Sequence, residues 1–142
     1  MLKIVVNEEL YVQNASVDIP ILELSSGINV GNATYQFSFS PKGFFVNVTK
    51  IYVLLGFAWS GSPLIGSSVK CTLNDIATIQ ASGPLLSSGE FITSVCVTDP
   101  LFTGAMKSNQ INTLTIFLED PSTYVYFKQC KIALSVEYQT LA

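Results

Sequence analysis

An all-β fold, a single antiparallel sandwich of about 8–10 strands with no substantial helix, follows from three observations on this 142-residue chain. Short runs of β-branched, aromatic and aliphatic residues alternate with polar ones at period two, the pattern of strands with one face buried. Clusters of Gly, Pro, Asn, Asp and Ser separate these runs. No segment carries a helical period for more than a turn. The length suits one domain, and neither an internal repeat nor a composition break divides 1–142.

The first residues, Met1 to Gln13, contain two short β-like runs, LKIVV and ELYVQ. Leu2, Ile4 and Val6 share one face, so 1–13 reads as an arm or edge strand able to join a neighbour's sheet. Val17 to Leu24 alternates, and Pro20 assigns it to an edge or a bulge. Ser25 to Ala33 is loop by composition. Thr34 to Ser40 alternates with Tyr35, Phe37 and Phe39 together, a line of aromatics more typical of core than of a sugar platform. Pro41-Lys42-Gly43 then predicts a hairpin into the next strand.

That strand, Phe44 to Trp59, is the longest apolar run of the chain. In its first half Phe44, Val46 and Val48 fall on one face and Asn47 and Thr49 on the other. In its second half both faces are apolar, with Ile51, Val53, Leu55, Phe57 and Trp59 opposed to Tyr52, Leu54, Gly56 and Ala58. Cover on both sides is therefore expected there, and Ile51, Val53, Leu55, Phe57 and Trp59 are candidates for contact with another subunit. Ser67 to Leu73, Asp75 to Gln80 and Phe91 to Thr98 follow as strands, with 81–89 a loop around Leu85 and Leu86. Asp99-Pro100 and Asp120-Pro121 are turn formers, and 101–110 holds at most one helical turn. Ile111 to Glu119 alternates strongly, with Asn112 in phase with Leu114 and Ile116. Tyr124 to Phe127 and Cys130 to Tyr138 close the sheet, the latter with Ile132, Leu134, Val136 and Tyr138 aligned.

Composition narrows the function. Charged residues make up 12% of the chain, about half the roughly 25% typical of soluble domains, whereas apolar residues make up 49%. A surface so poor in charge, its polarity supplied instead by Ser, Thr and Asn, suits a β-rich protein facing the outside world and equally a subunit much of whose exterior is interface. There is no His, and all seven basic residues are Lys. The absence of His removes the usual general base and the commonest metal ligand; the absence of Arg and the net charge of −3 argue against nucleic-acid binding. The pairs Glu8-Glu9 and Glu119-Asp120 point their carboxylates to opposite faces of a strand, so they do not form the convergent acids of a glycosidase. No enzyme, cofactor or metal site is expected.

Cys71, Cys96 and Cys130 lack metal-ligand spacing and read as buried free thiols within strands, one disulfide plus a free thiol being the alternative. The sequons at Asn14 and Asn32 fall in expected loops, where a glycan can be carried; that at Asn47 lies on a strand. The uncharged stretch from 51 to 69 is interrupted by Gly61, Pro63 and Gly66, which argues against membrane insertion, and MLKIVVNEEL carries two carboxylates where the apolar region of a signal peptide should run.

The closing segment, INTLTIFLEDPSTYVYFKQCKIALSVEYQ, runs from an alternating strand through a D-P turn and a short aromatic strand to a final I-x-L-x-V-x-Y strand. That order resembles the last strands of jelly-roll domains, and the chain resembles the single-jelly-roll virion proteins of tailless icosahedral viruses, archaeal hosts included. The resemblance implies a jelly-roll sandwich and a capsid, vertex or spike subunit. Its partners would be copies of itself or other structural proteins, and its setting the virion or cell exterior. Two other readings stand beside it: an extracellular filament subunit joined by strand addition, and a carbohydrate-binding module.

Overall fold

The structure, a computed structural model, describes residues 12–29, 32–61, 68–81, 88–118 and 125–141. Eight strands and one helical turn follow in order: β1 (Val12–Asn29), β2 (Asn32–Ser38), β3 (Phe44–Gly61), β4 (Val69–Leu73), β5 (Ala77–Gln80), β6 (Ser88–Val97), α1 (Pro100–Thr103), β7 (Ile111–Leu118) and β8 (Val125–Leu141). They form two four-stranded antiparallel sheets, ordered β1-β8-β3-β6 and β2-β7-β4-β5.

The pairing is nested. β1 lies against β8, β2 against β7, β3 against β6 and β4 against β5, which is one long double strand with the β4–β5 turn at its tip. Rolled up, it makes the two further contacts β3–β8 and β4–β7 that complete the sheets. This is a jelly roll.

Period-two alternation fills the space between the sheets. On β8, Ile132, Leu134, Val136 and Tyr138 are buried in turn; on β3, Ile51, Val53 and Leu55; on β4, Val69, Cys71 and Leu73; on β7, Leu114 and Ile116. Phe37 and Phe39 face the same core, with Tyr35 packed at its margin, so the aromatic line is structural. Pro20 stands on edge strand β1 beside a register shift, the kind of position in a sheet where a residue without an N–H is tolerated. The shift lets Leu22 pair with Ile132.

Four expectations change. The chain between β2 and β3 does not make a hairpin: the strands belong to different sheets, and Pro41-Lys42-Gly43 is the corner that crosses between them. Residues 25–29, expected as loop, continue β1 opposite β8. The two final strands are one, β8. In β3, register shifts at Phe45/Asn47 and Val48/Lys50 break the alternation, so Val48 turns inward while Phe44 and Val46 are exposed. A bulge adds a residue to one strand only, and each such insertion exchanges the faces beyond it.

The chain's one tight reversal within a sheet, among the described residues, joins β4 to β5. Asn74 and Asp75 have φ of 51° and 55°, the sign a type I′ turn requires at both central positions and one that Asn and Asp tolerate, and the Ile76 N–H donates to the Leu73 carbonyl at 3.0 Å.

Candidate interaction surface at one end of the sandwich

The starts of β1, β3, β5 and β7 and the ends of β2, β4, β6 and β8 meet at one end of the molecule, together with the 39–43 corner, the 74–76 turn and the 98–110 connection. Beneath its surface this end is closely specified. Asn112 is fully buried, and its side-chain amide uses all of its capacity. Its Oδ1 accepts from the Lys107 N–H at 2.8 Å and from Asn74 Nδ2 at 2.8 Å, while its Nδ2 donates to the carbonyls of Lys107 at 2.9 Å and Gln110 at 3.3 Å. Asn74 also donates to the Ala105 carbonyl at 2.7 Å and accepts from the Thr113 N–H at 2.8 Å. Two amides thus tie the β4–β5 turn, the 105–110 segment and β7 into one unit. Sequence reading places Asn112 in phase with Leu114 and Ile116 without singling it out; a polar residue in phase with an apolar stripe is the available signal.

The 39–43 corner is held in a second way. The Phe39 ring meets Phe45 and Tyr138 edge-on, with centroids 5.6 and 5.5 Å apart, an arrangement the aromatic quadrupoles favour. The Lys42 N–H donates to the Tyr138 hydroxyl at 3.0 Å, and Thr140 Oγ1 lies 2.9 Å from the Lys42 carbonyl and 2.8 Å from that of Phe44. Gly43 has φ of +68°, and a Cβ there would come within 2.7 Å of Thr140 Oγ1. In the connection after β6, Asp99 caps the single turn of α1 by accepting from the Leu101 N–H at 2.9 Å, with Pro100 at its first position. Asp99-Pro100 is therefore a helix start rather than a plain turn.

Outside, the same end is apolar. Val12 lies opposite Leu141 and Leu141 opposite Phe44, forming a row across β1, β8 and β3. All three are exposed, Phe44 to 76%. Val46, Ile76, Leu101 and Ile111 add to them, Leu101 at 73%. Of the eight large apolar side chains exposed among the described residues, Leu54 alone lies away from this end, so the end and not a sheet face is where apolar surface gathers. A groove of about 280 Å³ runs between β3 and α1, lined by Phe45, Val46, Val48, Pro100, Thr103 and Met106 among others. Lys42, Lys107, Asp75 and Asp99 are exposed here, two charges of each sign, so little net field opposes contact with an apolar partner.

The two sheet faces are unlike this end. On the first sheet the outward rows include Asn14–Gln139–Asn47, Ser16–Glu137–Lys50 and Asp18–Ser135–Tyr52–Cys96. A hydrogen bond with Cys96, then the charges of Cys96 and Glu137, hold the Tyr52 phenol above its ordinary range. On the second sheet Thr34, Thr115, Thr72 and Thr78 form one outward row. Their hydroxyls pair with each other, Thr34 with Thr115 at 2.9 Å and Thr72 with Thr78 at 2.8 Å.

The residues expected at an interface are distributed differently. Ile51, Val53 and Leu55 are spent on the chain's own core, which corrects their assignment as contact residues: a side chain without exposure has no surface to offer. The outward side of that stretch presents Tyr52 and Leu54. The side chains of Phe57 and Trp59, and all of Leu2, Ile4, Val6, Leu85 and Leu86, lie outside the described residues. Asn14 is exposed but sits within β1 rather than in a loop; Asn47 is exposed as well. Asn32 begins β2. Cys71 and Cys96 are both free. Cys71 is buried, and burial pushes its thiol up to about 12; Cys96 is exposed, against the expectation of burial. Among the described residues no group of three His, Cys, Asp or Glu is placed to hold a metal ion, and no helix is long and apolar enough to cross a membrane.

No protein-family model and no curated protein matches the chain. Its fold is found among solved structures. Dimeric latent PorU from Porphyromonas gingivalis matches over 92% of this chain with a TM-score of 0.51 and 12% identity. The match takes in only 13% of the PorU chain, so this protein spans a small part of that relative's length. Viral proteins also align: the empty head of turnip yellow mosaic virus over 100% of this chain and 87% of its own, at 10% identity and a TM-score of 0.41, and infectious bursal disease virus, Gt strain, over 89% and 33%, at 11% identity and 0.39.

Proposed function

We propose that the chain is a non-enzymatic structural subunit, most consistent with a capsid, vertex or spike protein of a virion, that works through contacts with copies of itself or with other structural proteins. The observation that carries this reading is the apolar end: Leu101, Ile76, Ile111, Phe44 and Val46 stand exposed over a closely hydrogen-bonded interior. Large apolar side chains gathered in one region, rather than scattered, mark interaction sites on soluble proteins. The jelly-roll sandwich and the low charge support the same reading. A carbohydrate-binding role is less well supported, because Phe37 and Phe39 face the core. Strand addition at β1 would have to proceed past Pro20 and two register shifts, devices that blunt an edge. Electron microscopy of native material tests the proposal: closed shells support it, filaments favour the strand-addition reading, and isolated molecules contradict both.

A further inference from the structure

The stretch from Asp99 to Lys107, DPLFTGAMK, carries both halves of a contact. Inward it is closed, with Phe102, Thr103, Ala105 and Met106 buried. Outward it presents Leu101, 73% exposed on α1, between the exposed charges of Asp99 and Lys107 at its two ends. Beside α1 runs the groove shared with β3, walled by Pro100, Gly104 and Met106 of this stretch and by Phe45, Val46 and Val48 of the strand. Leu101 does not line it. At about 280 Å³ the groove lies below the roughly 300–1,000 Å³ of small-molecule sites, and its largely apolar walls suit a single apolar side chain. A projecting apolar side chain and a groove able to take one therefore sit side by side, with opposite charges at the two ends of the stretch.

We propose that a second copy of the chain docks here across a two-fold axis, Leu101 of each copy entering the groove of the other and Asp99 of each facing Lys107 of the other. A two-fold contact uses the same patch twice, so that when residue i meets residue j, j also meets i. Reversing 99–107 about its middle residue, Thr103, meets that requirement: Asp99 falls against Lys107, and Leu101 against the Gly104–Met106 wall of the groove. The order of the charges selects this occupant. An unlike partner needs only the knob or only the groove, and a parallel alignment of two copies would set Asp99 against Asp99. Exposed ion pairs add little energy, but they fix orientation and register, while burial of Leu101 supplies the attraction. This contact rests on the assembly reading and names one pairing within it.

The test is a charge swap on the full chain, read by sedimentation velocity at low ionic strength. Lys107→Glu brings two carboxylates together at each end of the contact, and Asp99→Lys two ammonium groups. Each variant alone should self-associate roughly tenfold more weakly than wild type, as two lost ion pairs and two new repulsions imply. Mixed in equal amounts, one chain of each kind has opposite charges at both ends of the contact, so association should return to near the wild-type level as mixed pairs. A second measurement leaves Asp99 in place as the cap of α1. Chains with Leu101→Cys are mixed with chains carrying Val46→Cys, all with Cys96→Ser and Cys130→Ser, and oxidised where wild type associates. A link between positions 101 and 46 of different chains should form several-fold faster than with Thr34→Cys on the outer face of the second sheet. A mixture that associates no better than its components overturns the proposal, as does a link no faster than the control; should Asp99→Lys unfold, the link decides alone. In either case a wild type that still assembles leaves the broader reading standing. A wild type that stays monomeric throughout overturns both.

Discussion

The inside and the outside of the Phe44 end obey opposite rules. Inside, every polar group of Asn112 is paired, Gly43 fits against Thr140 with no room for a Cβ, and three aromatic rings interlock. Outside, a few ångströms away, Phe44 and Leu101 stand in solvent. A loosely built end would be loose in both. The apolar exterior is carried on a closely bonded support, so that contact there with any partner would cost little ordering of the backbone.

Breaking the interior should have the largest effect. Asn112→Ala strips partners from the Lys107 N–H and carbonyl and from the Asn74 amide, and leaving such groups buried and unpaired should destabilise the fold by about 3–4 kcal/mol. Urea denaturation checks it; a loss below about 1 kcal/mol would mean that water replaces the amide readily.

The two free thiols sharpen the same contrast away from the end. Cys71 keeps its proton in the folded protein up to about 12, against an ordinary value of 9. A folded-state value raised above the unfolded one leaves stability intact below pH 9 and removes it as pH climbs from 9 towards 12, because only the unfolded thiol ionises in that window. Wild type should therefore lose about 2–3 kcal/mol more than Cys71→Val between pH 8 and 11. Cys96, being exposed, should be alkylated in the native protein while Cys71 is not.

A smaller loss is expected at the corner. Gly43→Ala forces a left-handed φ on alanine and brings its Cβ against Thr140 Oγ1, which should cost about 1–2 kcal/mol. Adding Thr140→Ala should fail to restore wild-type stability, because the strain of the left-handed φ persists and the hydroxyl contacts with Lys42 and Phe44 are lost as well.

Sequence alone reveals the interior more readily than the exterior. Ile132 to Tyr138, Ile111 to Phe117 and Tyr35 to Phe39 announce their faces, since a residue on a regular strand keeps its face as long as the register holds. The two bulges in β3 are invisible in a string of apolar residues, and they are what turn Phe44 and Val46 outward while Val48 turns in. Pro41-Lys42-Gly43 is equally suited to a hairpin and to a crossover; distant partner strands decide which, since Ser38 before the corner pairs with Ile111 and Phe44 after it with Leu141. The general expectation of assembly rests on the low charge and on the doubly apolar half of β3, and in that strand it attaches to Ile51, Val53, Leu55, Phe57 and Trp59, the first three of which belong to the core. Apolar character on both faces does not say which face belongs to the core.

The smallest change to the fold is the most informative about function. Leu101→Ser combined with Ile111→Ser alters two exposed side chains, so stability should move by less than about 0.5 kcal/mol. Sedimentation velocity of wild type and this variant over a rising concentration series tests the central claim. The account predicts that wild type self-associates and the variant remains monomeric; a wild type that stays monomeric at the highest concentration, or a variant that associates equally well, would contradict it.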